Sequence, residues 1–223
     1  SPMTYYAYFR PILERGQDIL YIAFSSGLSA TYETACQVIA ELQKEFPQRR
    51  ILAVDSLCAS AGEGLLVYAA AQKQKQGLDM ETLYQWLLQN RLHLCHWFTV
   101  DDLAFLKRGG RISASTAMVG DILQIKPVMH VDDAGHLVPV SKAHGRKKSL
   151  HALAQAMQKS CIPAENEVIF IGHGNSVEDA TLLKKLIATS FPQFFVQIVP
   201  IGPIIGAHAG PGVIALFFFG SPR

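Results

Sequence analysis

The chain has 223 residues, 49% of them hydrophobic and 17% charged, which excludes a disordered polypeptide and provides enough chain to bury about 70–75% of the surface exposed on unfolding. Lys and Arg number 20 against 18 Asp and Glu, a formal net charge of +2, so there is no global attraction to nucleic acid or to an anionic membrane. A mean hydropathy of +0.18 with so little charge leaves apolar surface for a core, an interface or an apolar ligand site. The chain opens on Ser1-Pro2-Met3 and runs at once into a patterned segment, which reads as a cut through a longer protein. Residues 19–24 (ILYIAF) predict a buried strand, and Ser25-Ser26-Gly27-Leu28-Ser29 a turn. Apolar residues from Leu28 to Phe46 then recur at steps of three and four, the period of an amphipathic helix that Pro47 stops. Residues 51–54 predict a second strand, 59–76 an Ala-rich helix ended by Gly77, and Asp79 caps a third helix through Arg91.

Beyond this point the pattern changes. Strands are predicted at 94–100, 127–131, 137–140, 168–171, 194–199 and 213–219, and helices at 102–108, 115–125, 148–159 and 177–190. The turn Asp132-Asp133-Ala134-Gly135 has hairpin chemistry. Strand–helix alternation in the first half implies a parallel sheet, and a hairpin inside the second half implies a mixed or antiparallel one. The expected fold is therefore α/β: a parallel-sheet α/β domain over residues 1–95, then a second α/β domain over 96–223. The most apolar run, 213–219, is far shorter than the ~20 residues of a membrane span, so stable membrane insertion is not expected.

Four segments carry chemical potential. The serine turn combines a strand end, a helix start and hydroxyls at Ser25, Ser26 and Ser29, with Gly27 allowing close backbone approach; it reads either as an anion site or as simple helix capping. It lacks the Gly-x-Ser-x-Gly spacing of a nucleophile elbow. Lys107-Arg108-Gly109-Gly110-Arg111 reads as an oxyanion site or as a helix C-terminus with its glycine cap. In the Gly/Pro-rich loop 202–212, His208 is the single titratable group. Gly172-His173-Gly174-Asn175 reads as a turn, and Arg146-Lys147-Lys148 as a solvated helix start. Cys36, Cys58, Cys95 and Cys161 form no CxxC pair and the histidines no HxxxH, so neither a metal site nor a disulfide framework is expected, and buried free thiols in a reducing cytoplasm are.

Taken in order, FSSGLSATYETA (24–35), VDSLCASAGEGLLV (54–67), FTVDDLAFLKRGGRIS (98–113), ILQIKPVMHVDDAGHLVPVSKAHGRKKSL (122–150) and IIGAHAGPGVIALFF (204–218) resemble the DegV family of bacterial fatty-acid-binding proteins. The resemblance implies two α/β domains with one fatty acid between them, its tail within the first domain and its carboxylate near the cleft. It places head-group contacts on the serine turn (Ser25, Ser26, Gly27 and Ser29, above all Ser26) and on His208, with Arg111 as a further contributor. The implied role is a cytoplasmic lipid-binding carrier in fatty-acid metabolism and lipid transport, not an enzyme. It would hold a long-chain acid such as palmitate in an apolar tunnel and present the carboxylate to a partner fatty-acid kinase, with no cofactor. Two features depart from the family. Its opening segment, an Asp-Ser-Thr-type strand end and a Thr-Ser-Gln-Pro-Ser-Pro loop, is matched only by Ser1-Pro2, which would remove a head-group threonine and a central strand. His144 stands where the family carries the arginine of a Lys-x-Arg, a role Arg146 is placed to substitute. The alternative function is a small-molecule phosphotransferase or hydrolase using the serine turn, His208 and Arg111, and a third is a regulatory protein in which lipid is structural filler.

Overall fold

Strands β1 (Ile19–Ala23) and β2 (Ile51–Asp55) form a two-stranded parallel sheet in the register Ile19↔Ile51 to Ala23↔Asp55. This computed structural model describes residues 1–113, 124–221 and 223. Helices α1 (Pro2–Glu14) and α2 (Thr31–Glu45) contribute Phe9, Leu13, Val38 and Leu42 to one apolar cluster with Ile19 and Ile51. Helices α3 (Ala61–Lys75) and α4 (Met80–Asn90) bury Leu65, Leu66, Leu83 and Leu87 in another, with Val54 of β2. Asp79 caps α4 as expected, accepting from the Thr82 N–H at 2.8 Å. Helix α1 was not anticipated; Pro2 occupies its first turn, where the missing N–H costs nothing, and Phe9 and Leu13 fall one turn apart on its buried side.

The second sheet has six strands in the order β5-β4-β3-β8-β6-β7: β3 (Leu94–Thr99), β4 (Ile125–Val131), β5 (Leu137–His144), β6 (Val168–His173), β7 (Phe195–Pro200) and β8 (Ile214–Phe219). Only the β6–β7 pair is parallel, so the sheet is mixed. Strand β8 is buried along its whole length, as a central strand covered on both faces must be. Its alternate residues divide between two cores. Ile214, Leu216 and Phe218 pack with helices α6 (Arg146–Ser160) and α7 (Val177–Ser190), whereas Ala215, Phe217 and Phe219 join Leu65 and Leu87 of the first half. One face of the sheet thus shares a core with α3 and α4.

Two short α-helices, α5 (Ala104–Arg108) and α8 (Pro203–Ala209), and two 3-10 turns, Arg91–His93 and Pro163–Glu165, complete the described fold. Helix α8 corrects the expectation of a loop across 202–212. Pro203 sits in the first helical turn, Gly206 N–H reaches Gly202 O at 2.9 Å, and Gly210, at φ +78°, ends the helix. The helix expected over 115–125 lies outside the described residues as far as 123; of its last two residues, Gln124 sits in a turn at φ +70° and Ile125 opens β4.

Candidate functional site

A cavity of about 360 Å³ lies where the serine turn, the β3–β8 face and α8 converge. Its walls are mostly apolar: Phe24 and Leu28 from the turn, Phe98 of β3, Ala215 and Phe217 of β8, Ile204 and Ile205 of α8. Val131 and Leu137 flank the 132–135 hairpin and close another side. The polar lining comes from Ser29, Thr31, Ser60, His96, Arg111 and His208.

Arg111 ties three segments together. Its Nε donates to Leu28 O at 3.1 Å and its Nη1 to Gly109 O at 2.6 Å, which joins the serine turn to the glycine turn after α5. Gly109 in turn lies against the His208 ring, whose Cε1 and Cγ stand 3.1 and 3.2 Å from where a Cβ would be. The sequence-predicted residues Ser29, Arg111 and His208 therefore share one cavity. Ser29 Oγ and Thr31 Oγ1 lie 2.5 Å apart and share a hydrogen bond at its rim.

Ser25, Ser26 and Gly27 are not among the cavity-lining residues. The buried Ser25 hydroxyl donates to Gly135 O at 2.9 Å and accepts from Gly27 N–H at 3.2 Å. Ser26 donates from its hydroxyl to Asp55 Oδ2 at 2.5 Å and from its N–H to Asp55 Oδ1 at 3.1 Å. Leu28 and Ser29 N–H both reach Ser25 O at 3.1 Å. The backbone donors of residues 26–29, which could have been open to an anion, are thus occupied, that of Ser26 by Asp55 of β2 and the other three by Ser25. Ser26 is also paired with a carboxylate rather than with an imidazole base, unlike the nucleophile of a serine hydrolase.

His96 was not singled out in the sequence, although it shares strand parity with the inward Leu94 and Phe98. Its Nε2 accepts from Ala59 N–H at 3.1 Å, which makes Nδ1 the protonated nitrogen that donates to Leu94 O at 3.0 Å. Burial, helped by the charge of Arg223, pushes its pKa down to about 3, so the ring is neutral.

The remaining candidates have structural partners. Arg146 is not a solvated helix start: its Nε donates to Asp179 Oδ2 at 2.8 Å, its Nη2 to Gly212 O, and Nη1 lies 3.6 Å from Asp101 Oδ1. The turn expected over 172–175 is confined to Gly174 and Asn175, because Gly172 and His173 are the last paired residues of β6; His173 accepts at Nδ1 from Ser176 N–H at 3.2 Å. All four cysteines are free. Burial pushes Cys58 and Cys95 up to about 12 and Cys161 to about 11, which keeps these three thiols protonated and unreactive. Among the described residues there is no group of three or more His, Cys, Asp or Glu able to hold a metal, and no helix long and apolar enough to cross a membrane.

Comparison with known proteins places this architecture. The profile described as "Uncharacterised protein, DegV family" matches residues 1–221. A DegV domain-containing protein of Clostridium perfringens is 44% identical over 215 residues, covering 96% of this chain and 74% of its own. A solved DegV family protein from Thermus thermophilus, described by its fatty-acid binding, superposes with a TM-score of 0.85 at 27% identity, covering 99% of this chain and 77% of its own. The Fatty Acid Kinase (Fak) B3 protein of Streptococcus pneumoniae, solved loaded with linoleic acid, has the same fold. Its TM-score is 0.85 at 24% identity, over 98% of this chain and 76% of its own.

Proposed function

The chain belongs to the DegV family, and from that premise we propose that it is a fatty-acid carrier without catalytic activity of its own. It holds one long-chain acid with the tail in the apolar cavity and the carboxylate at Ser29, Arg111 and His208. A partner fatty-acid kinase then receives the head group. The observation that carries this reading is the cavity itself, whose apolar walls meet a cation, an imidazole and a hydroxyl pair. Burying about 15 methylenes is worth ~12 kcal/mol before association costs of at least several kcal/mol. The tail therefore supplies affinity, and the charge-assisted hydrogen bonds of the head group supply orientation. Ser25, Ser26 and Gly27 act behind that contact by holding the turn in place. Fatty acids bound by the Thermus thermophilus and Streptococcus pneumoniae proteins support the ligand class, and the name of the latter supports the kinase partner. We read residues 1–95 and 96–223 as two domains that enclose the ligand between them.

Native mass spectrometry of the protein purified from bacterial cells tests this. One long-chain acid per chain is expected, released by organic extraction. A folded protein that neither carries nor takes up such an acid overturns it.

A further inference from the structure

The cavity lies over the face of the paired strands β3 and β8, lined there by His96, Phe98, Ala215 and Phe217, and the facing residue pairs along that face differ in size. Phe98 faces Ala215, which leaves room; one step along the same face, His96 faces Phe217. Their rings meet edge to face, 5.3 Å between centroids at 89°. Gly62 of α3 seals the pair from behind: a Cβ there would overlap His96 Nε2 and lie 2.8 Å from Phe217 Cδ1. The next pair, Leu94 and Phe219, belongs to packed core and does not line the cavity. A separate hollow of about 330 Å³ begins on the far side, walled by Phe219, Leu65 and Tyr68.

We propose that Phe217, backed by His96 and Gly62, is the blind end that limits the length of the bound acyl chain. This rests on the fatty-acid reading and specifies its ligand: an acid of bounded length with a methyl terminus. Both His96 ring nitrogens are engaged by backbone groups, so that ring offers a polar ω-substituent no partner and an apolar terminus fits better against it.

The test is competition among even-numbered straight-chain acids and one ω-hydroxy acid for the wild-type protein, Phe217→Leu and Ala215→Leu, with the bound acids extracted and quantified. In the wild type, preference rises by about fourfold per methylene up to one length and then stops. Phe217→Leu moves that limit to the next longer acid, raising its ratio to the former limit by about fifteenfold. Ala215→Leu, which fills the cavity beside Phe98, shortens the limit even if the Phe217 variant does not fold. The ω-hydroxy acid binds about tenfold less than its parent in the wild type. Equal length profiles in the wild type and every folded variant overturn the blind end while leaving the fatty-acid reading intact. Absence of any bound acid from the folded wild type overturns that reading, and the blind end with it.

Discussion

The His208 imidazole lies against the backbone of Gly109 with no space for a side chain between them: a Cβ at position 109 would overlap Nδ1 and stand 3.1 Å from Cε1. Gly109 itself has φ −73°, an ordinary helical value, so its backbone accepts alanine without strain. Gly109→Ala should therefore displace the His208 ring while leaving the fold intact. Acid affinity is expected to drop by about tenfold, with an overpacking cost of about 1–3 kcal/mol. Calorimetric titration beside a thermal melt separates the two effects. Unchanged affinity would remove His208 from the head-group site.

Arg111 gives a sharper chemical test. Its guanidinium is oriented by Leu28 O and Gly109 O, and a hydrogen bond from a charged donor to a carboxylate is worth about 1.5–3 kcal/mol. Arg111→Gln should weaken binding of a long-chain acid by about tenfold to a hundredfold. Binding of the matching long-chain alcohol, which has no charge to satisfy, should scarcely change. Equal losses for acid and alcohol would mean that Arg111 only holds the two turns together.

Ser25 has a structural prediction. Its hydroxyl crosses from the serine turn to Gly135 O at 2.9 Å in a fully buried setting, and Gly135, at φ +79°, has Ser25 Oγ where a Cβ would lie. Ser25→Ala leaves that carbonyl without its side-chain donor and should cost about 1–3 kcal/mol of unfolding free energy, measured in urea. A stability change within about 0.5 kcal/mol would show that this link between the two halves is dispensable.

Much of this was legible in the sequence, because strands and long amphipathic helices announce themselves by period. The helix 177–190 and the strand ends near Leu94 and Phe219 fall where alternation and spacing put them. Helix α8 was not legible: four glycines and two prolines between 202 and 212 read as a loop, and only the placement of Pro203 in a first turn makes a helix possible. The serine turn was found for its hydroxyls, but its hydrogen bonds were not. Ser26 pairs with Asp55 and Ser25 with Gly135, 29 and 110 residues away, and local pattern carries no such information. His96 was missed for a related reason: strand parity marks it as inward, but Gly62, Phe217 and Ala59 decide what it does there.

Glu63, in the first turn of α3, supplies a pH prediction. Burial raises its pKa from 4.5 to about 7, and Tyr21 and Cys58 are the neighbouring groups its charge acts on. Between those values the folded state holds more proton than the unfolded state. This contribution to stability is therefore present below pH 4.5 and lost as pH rises through 7. Glu63→Gln removes the titration, so the variant should exceed the wild type by up to about 3 kcal/mol near pH 8. The stability gap should close on moving to pH 4, where His96 dominates. There the unfolded chain takes up a proton that the buried, neutral ring refuses, and both proteins lose stability together. Parallel stability–pH curves for the two proteins would contradict the assignment.

The most direct test of the carrier reading is calorimetric titration of the lipid-stripped protein with a straight-chain long-chain acid at several temperatures. Saturable binding of one acid per chain, with a negative heat-capacity change from burial of the tail, is the predicted result. A folded protein that shows no saturable binding, or binding without a heat-capacity change, would contradict the account.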